Sequence, residues 1–244
     1  MNTTKNTLAV IWDFDGTLVD TRQKNLNVTR KIIAKVSGRG WNEFSVLKSI
    51  EQYHFAHNKA TNWREFYKQS FSFGEQQTDE SGKLWTSYQL EDNTPVLLIN
   101  GIYDAIAVIG NIPQGIVSQN SKSNIERILE EKEISSYFKV IVGYEEVELK
   151  NQKPAPDGLL ICIEKLVGHN SGYIFYIGDH ETDIKCVLNA NNILSENKID
   201  MKIISIGALY GFDVDPSDWS NAPDYQAHKV EDVINIINEI DAFI

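Results

Sequence analysis

Four separated groups of residues have types and spacings that suit phosphoryl chemistry. Asp13 and Asp15 stand two apart in Asp13-Phe14-Asp15-Gly16-Thr17. Ser118 follows a short apolar run, and Lys153 opens Lys153-Pro154-Ala155-Pro156-Asp157. Asp179 and Asp183 lie in Gly178-Asp179-His180-Glu181-Thr182-Asp183. Side chains two apart on an extended strand end share a face. One of the first pair could therefore attack while the other exchanges a proton. A carboxylate can attack phosphorus and carry the phosphoryl group as an aspartyl phosphate. Several carboxylates together also suit a hard cation such as Mg²⁺, which takes oxygen ligands. Each group also has a plain structural explanation: Asp and Gly favour turns, and an acidic residue is favoured in the first turn of a helix. It is the combination of the four that points to a site.

These residues meet only if the intervening elements bring them together. Leu8–Trp12 is a short apolar run that stops at Asp13, as a buried parallel strand would. From Asn93-Thr94-Pro95 onward, strands alternate with helices. The expected strands are Gly115–Ser118, Val140–Val142, Tyr173–Ile177 and Lys202–Ile206. Helical spacing marks 102–109, 125–129, 159–166, 183–188 and 230–240, and Asn191–Asp200 is expected as a polar loop. Alternation of this kind implies βαβ units in a parallel sheet covered on both faces. Ligands then bind outside the carboxyl ends of the strands, where all four groups fall. Residues 17–92 show no strand pattern. Helices are expected near 28–36, 43–57, 62–71 and 79–88, with Trp63, Phe66 and Tyr67 in their core. The expected fold class is α/β: a doubly wound, Rossmann-like parallel sheet from residues 1–16 and 93–244, with an inserted α-helical cap at 17–92.

The 244 residues carry 23 Lys and Arg against 34 Asp and Glu, a net charge of −11, and 42% are hydrophobic. That composition excludes disorder and a membrane bundle. An acidic chain is repelled by nucleic acid and by anionic membranes, so neither is expected as a partner. The polar first seven residues and the short run Leu8–Trp12 do not make a signal peptide. Two cysteines, Cys162 and Cys186, fit a reducing compartment, and a cytoplasmic location is expected. Residues 16–92 hold 11 Lys and Arg and 9 Asp and Glu, against 12 and 25 in the rest. The cap cations Arg22 and Lys24 are accordingly expected to face an anionic substrate. The cap is also expected to move about linkers near Gly16-Thr17 and Asn93-Thr94-Pro95.

Asp13-Phe14-Asp15-Gly16-Thr17-Leu18-Val19-Asp20-Thr21 resembles the first motif of the haloacid-dehalogenase-like hydrolases. Ser118 is similar to the second motif, Lys153 in Lys-Pro-Ala-Pro-Asp to the third, and Gly178-Asp179 with Asp183 to the fourth. Order and spacing agree across nearly the whole chain. The nearest likeness is to the phosphoglycolate-phosphatase and β-phosphoglucomutase branch. The resemblance implies a Mg²⁺-dependent phosphatase for a small phosphorylated metabolite. It implies that Asp13 is the nucleophile, and that Asp15 is general acid and then base. Ser118 and the groups beside it, Gln119 included, would hold phosphate oxygens, and Lys153 would offset charge. The metal would be held by Asp13, the Asp15 carbonyl and Asp179, with Asp183 orienting a metal water or Lys153. A sugar-phosphate mutase or a phosphonate hydrolase of the same superfamily shares these motifs. A dehalogenase is disfavoured, because that branch lacks the second aspartate, present here as Asp15. From another class, a non-catalytic phosphometabolite-binding protein would be favoured by loss of Asp13 or Asp15, and both are present.

Overall fold

In the computed structural model, residues 7–60, 62–212 and 215–243 are described. They divide into two compact units, Met1–Asp20 with Leu98–Ile244, and Thr21–Leu97. The first unit holds a six-stranded sheet: β1 (Thr7–Trp12), β2 (Gln114–Val117), β3 (Phe138–Val142), β4 (Gly172–Gly178), β5 (Met201–Ala208) and β6 (Tyr225–Ala227). The strand order is β3-β2-β1-β4-β5-β6, and every neighbouring pair is parallel. The chain leaves β1 toward β2 on one side, and the sheet continues through β4 on the other. This reversal is the point at which open α/β sheets bind ligands.

Thr21–Leu97 contains α1 (Arg22–Ser37), α2 (Ile50–Lys59), α3 (Trp63–Phe71) and α4 (Glu75–Glu91). The unit has its own core, built on Leu26, Ile32, Ile33, Leu47, Tyr53, Phe66, Tyr67 and Phe71. Edge-to-face rings brace it, with Phe66 lying 5.4 Å from both Tyr53 and Phe71. The helix expected over 43–57 is instead two 3₁₀ turns, Trp41–Glu43 and Ser45–Leu47, followed by α2. Ser49 is the cause: its hydroxyl accepts from the Gln52 backbone N–H and starts the helix there. Helix α4 begins earlier than 79, at Glu75, where Gly74 and Gln77 form the cap. Lys24, expected to face a substrate, is 1% exposed. Its ammonium donates to the Asp92 backbone carbonyl within the same unit.

The sheet unit adds α5 (Ile102–Val108), α6 (Lys122–Glu131), α7 (Asp157–Val167), α8 (Glu181–Glu196) and α9 (Val230–Phe243). Central strands buried on both faces read as continuous apolar runs, and Ala9, Val10, Ile11 and Trp12 are all fully buried. The face bearing Ala9, Ile11, Ile174 and Tyr176 packs with residues of α7 and α8. On the opposite face, the Trp12 indole donates to Gln114, whose amide reaches the Ile106 carbonyl of α5. Asn191–Asp200, expected as a loop, is for most of its length the end of α8, which runs to Glu196. Val187, Ala190 and Leu194 keep one buried stripe through it. The Asn191 side chain bonds both backbone groups of Ile203 on β5. Among the described residues, no helix is long and apolar enough to cross a membrane.

Candidate active site

Asp13 is the first residue beyond β1, and its backbone N–H donates to the Ile177 carbonyl at 2.7 Å. The chain then turns tightly: Leu18 N–H bonds the Phe14 carbonyl, and Gly16 N–H bonds that of Val19. Gly16 has φ of 81°, and a Cβ there would lie 2.1 Å from an Asp179 carboxylate oxygen. Only glycine lets the turn pass this close to Asp179. Thr17 supports the same carboxylate from the side, its hydroxyl 3.4 Å from Oδ1.

Lys153 is 7% exposed. Its ammonium lies 2.6 Å from Asp13 Oδ1 and 2.7 Å from Asp183 Oδ1. The Asp183 oxygen that meets Lys153 also accepts from the Tyr176 hydroxyl at 3.0 Å. The other oxygen of Asp183 accepts from the His180 backbone N–H at 3.1 Å, closing the cap of α8. Asp183 therefore holds Lys153 in place. Ser118 is the first residue beyond β2, 5% exposed, and its hydroxyl accepts from the Asn120 backbone N–H. Gln119 turns its amide to the Lys153 carbonyl at 3.0 Å and so anchors that loop's backbone. Asp15 is half-buried, and the Asn120 amide nitrogen lies 3.2 and 3.0 Å from its two oxygens.

Oxygens of Asp13, Asp179 and Asp183 lie within 4.8 Å of one another. Burial pushes the Asp13 carboxyl up to about 7. Lys153 works against this, while Asp183 and Asp15 reinforce it. Burial, then Asp13, then Asp183 raise Asp179 well above the usual carboxylate range. Burial pulls the Lys153 ammonium down, but Asp13 and Asp183 outweigh it and hold the cation firmly charged. One lysine shared by two carboxylates does not neutralise three. The surplus falls on Asp13 and Asp179, because both Asp183 oxygens already have donors. An all-oxygen donor set carrying surplus negative charge fits a hard divalent cation.

The structure thus brings Asp13, Lys153, Asp179 and Asp183 together, with Asp15 and Ser118 on adjoining strand ends. Sequence reasoning did not single out Asn120, Thr17 or Tyr176. Tyr176 carried a weak signal, since it is one of two hydroxyls in an apolar strand and stands three residues before Asp179. Gly178 is constrained by space alone: a Cβ there would lie 2.5 Å from Asp183 Cγ. Gly178→Ala should push Asp183 off Lys153. A displacement of about 1 Å can cost on the order of 10²-fold in rate, and overpacking costs about 1–3 kcal/mol. Turnover on an aryl phosphate with the thermal midpoint recorded alongside tests this. Unchanged turnover would show that Asp183 does not need its position.

A model of the haloacid dehalogenase-like hydrolase family matches residues 10–193. Phosphoglycolate phosphatase from Escherichia coli K12 is 26% identical over 123 residues, 50% of this chain and 43% of that enzyme. The chain thus spans less than half the length of that curated relative. A protein named pyrophosphatase PpaX from Oceanobacillus iheyensis is 23% identical over 94% of this chain and 96% of its own. Among solved structures, the haloacid dehalogenase-like hydrolase SP0104 from Streptococcus pneumoniae superposes with a TM-score of 0.66. It is 18% identical and covers 94% of this chain and 98% of its own, which is a likeness of fold.

Proposed function

Because the chain belongs to the haloacid dehalogenase-like hydrolase family, we propose that it is a Mg²⁺-dependent phosphatase acting on a small phosphate monoester. The observation that carries this reading is the Lys153 ammonium between the Asp13 and Asp183 carboxylates, beside Asp179. Asp13 and Asp179, with the Asp15 backbone carbonyl, would hold Mg²⁺, which when bound offsets charge on the phosphoryl oxygens.

In the first step an Asp13 oxygen bonds to phosphorus as the bond to the leaving oxygen breaks. Asp15 gives that oxygen its proton. In the second step water attacks the same phosphorus and passes a proton to Asp15, and the Asp13–phosphorus bond breaks to release phosphate. Lys153 stays beside Asp13 and offsets the charge of Asp13 and of the phosphoryl group it receives. Ser118 and backbone N–H groups beyond β2 hold the remaining oxygens. Preorganised charge of this kind supplies most of the stabilisation in such reactions. Burial of Cys162 and Cys186 as free thiols supports a cytoplasmic setting.

Release of inorganic phosphate from a panel of sugar phosphates, nucleotides, phosphoglycolate and pyrophosphate, with and without Mg²⁺, tests the assignment. Turnover of at least one monoester only with Mg²⁺ is expected. No hydrolysis of any member, or hydrolysis indifferent to Mg²⁺, would contradict it. The role of Asp15 has its own test. Asp15→Asn should slow first-turnover release of a poor leaving group by about 10²–10⁴-fold and spare a good one. Equal slowing of both would remove Asp15 as the acid.

A further inference from the structure

Asn120 is 3% exposed, and its side-chain oxygen is fully committed. That oxygen accepts from the Ser121 backbone N–H at 2.8 Å and from the Asn124 amide at 3.2 Å. Asn124 is itself oriented, because its own oxygen accepts from Arg127 at 3.2 Å. An asparagine amide has one acceptor end and one donor end. With the acceptor end taken, the NH₂ end must face Asp15, 3.2 and 3.0 Å from its oxygens.

We infer that Asn120 is a positioning residue that directs the transferable proton of Asp15 toward the leaving group. The NH₂ end can only donate. When Asp15 is protonated, its O–H cannot point at Asn120 without setting donor against donor. The proton must lie on the side away from Asn120, and the Asn120 bonds hold the carboxyl plane in that sense. The Arg127-Asn124-Asn120 chain gives the amide no second orientation. Asn120 itself neither bonds to phosphorus nor takes up a proton. The inference rests on the reading of Asp15 as acid and base, and it adds the group that aims the proton.

The test is first-turnover release of the leaving group from phenyl phosphate and from dinitrophenyl phosphate. Departing dinitrophenolate needs no proton, whereas phenolate gains much from one. Asn120→Leu keeps the bulk of the side chain but removes its donor and acceptor, and Asn120→Ala removes the bulk as well. Each should slow release from phenyl phosphate by about 10–10²-fold, with less than about threefold loss for dinitrophenyl phosphate and little change in KM. Combined with Asp15→Asn, neither should cause further loss. Asn124→Ala, one bond farther out, should give the same pattern more weakly, and it serves if the Asn120 variants do not fold. Equal loss on both substrates, or losses that multiply with that of Asp15→Asn, would overturn the assignment to Asn120 and leave Asp15 as the acid. Indifference of Asp15→Asn itself to the leaving group would overturn the acid reading, and this inference with it.

Discussion

Asp13→Asn is expected to lower phosphate release by on the order of 10⁴–10⁶-fold, the range that loss of a covalent nucleophile costs. The carboxamide keeps the size of the side chain but gives no anionic oxygen to attack phosphorus. It also leaves Lys153 with only Asp183 as anionic partner among its two contacts. The folded chain should survive, because the buried Asp13 carboxylate is held at a cost: burial and neighbouring carboxylates raise it to about 7. Thermal midpoints of the two proteins in chelator would show whether the variant remains folded. Turnover within tenfold of the parent would remove Asp13 from the chemistry.

Removing the divalent cation should be as severe for turnover and should also change how stability depends on pH. The folded-state value of Asp13 lies above its unfolded value. Its contribution to stability is therefore complete below about pH 4, the unfolded carboxylate range, and is lost as pH rises through about 7. Asp179 shifts in the same direction. In excess EDTA the thermal midpoint should fall between pH 5 and pH 8, and it should fall less in Asp13→Asn. The expected difference between the two proteins is on the order of a few kcal/mol. Metal binding requires the ionised carboxylates and releases their protons, so Mg²⁺ should raise the midpoint more at pH 8 than at pH 5. A chelated protein whose midpoint follows the same pH course as Asp13→Asn would contradict the crowding of carboxylates at this site.

Five of the six sheet strands were legible because buried parallel strands are written as unbroken apolar runs; the edge strand β6, with Tyr225 and Gln226 exposed, was not expected. Ala9 to Trp12 and Ile174 to Ile177 needed no partner to be recognised. The end of α8 was not legible in the same way. Asn191, Asn192, Ser195 and Glu196 look like a loop by composition. The helix persists because Val187, Ala190 and Leu194 bury one stripe, and because Asn191 bonds the β5 backbone. That bond depends on a strand ten residues further along the sequence. Glu43–His57 misled in the opposite direction. Its apolar spacing continued across Ser49, where a hydroxyl cap decided the start of α2.

The charged members of the candidate site stood out only in combination: each alone suits a turn or a helix start, but all four fall at expected strand ends. Their supports did not. Tyr176 looks like one more strand aromatic, and only the fold turns its hydroxyl onto Asp183. Asn120 was overlooked beside Ser118 and Gln119 because its partner, Asp15, lies 105 residues away in sequence. Gln119 itself was expected at the substrate, yet its amide holds the Lys153 carbonyl. The direction of a polar side chain is set by which backbone groups the fold leaves within its reach, and local sequence does not encode that.

The most direct test of the account is to trap the acyl phosphate. The protein is quenched during turnover of an aryl phosphate with Mg²⁺, reduced with borohydride, and mapped by peptide mass spectrometry. An aspartyl phosphate is reduced to homoserine where a free carboxylate is not. The account predicts homoserine at position 13 and unmodified aspartate at positions 15, 179 and 183. Homoserine at another of these positions, or none at all while substrate is turned over and a chemically phosphorylated control is reduced, would contradict it.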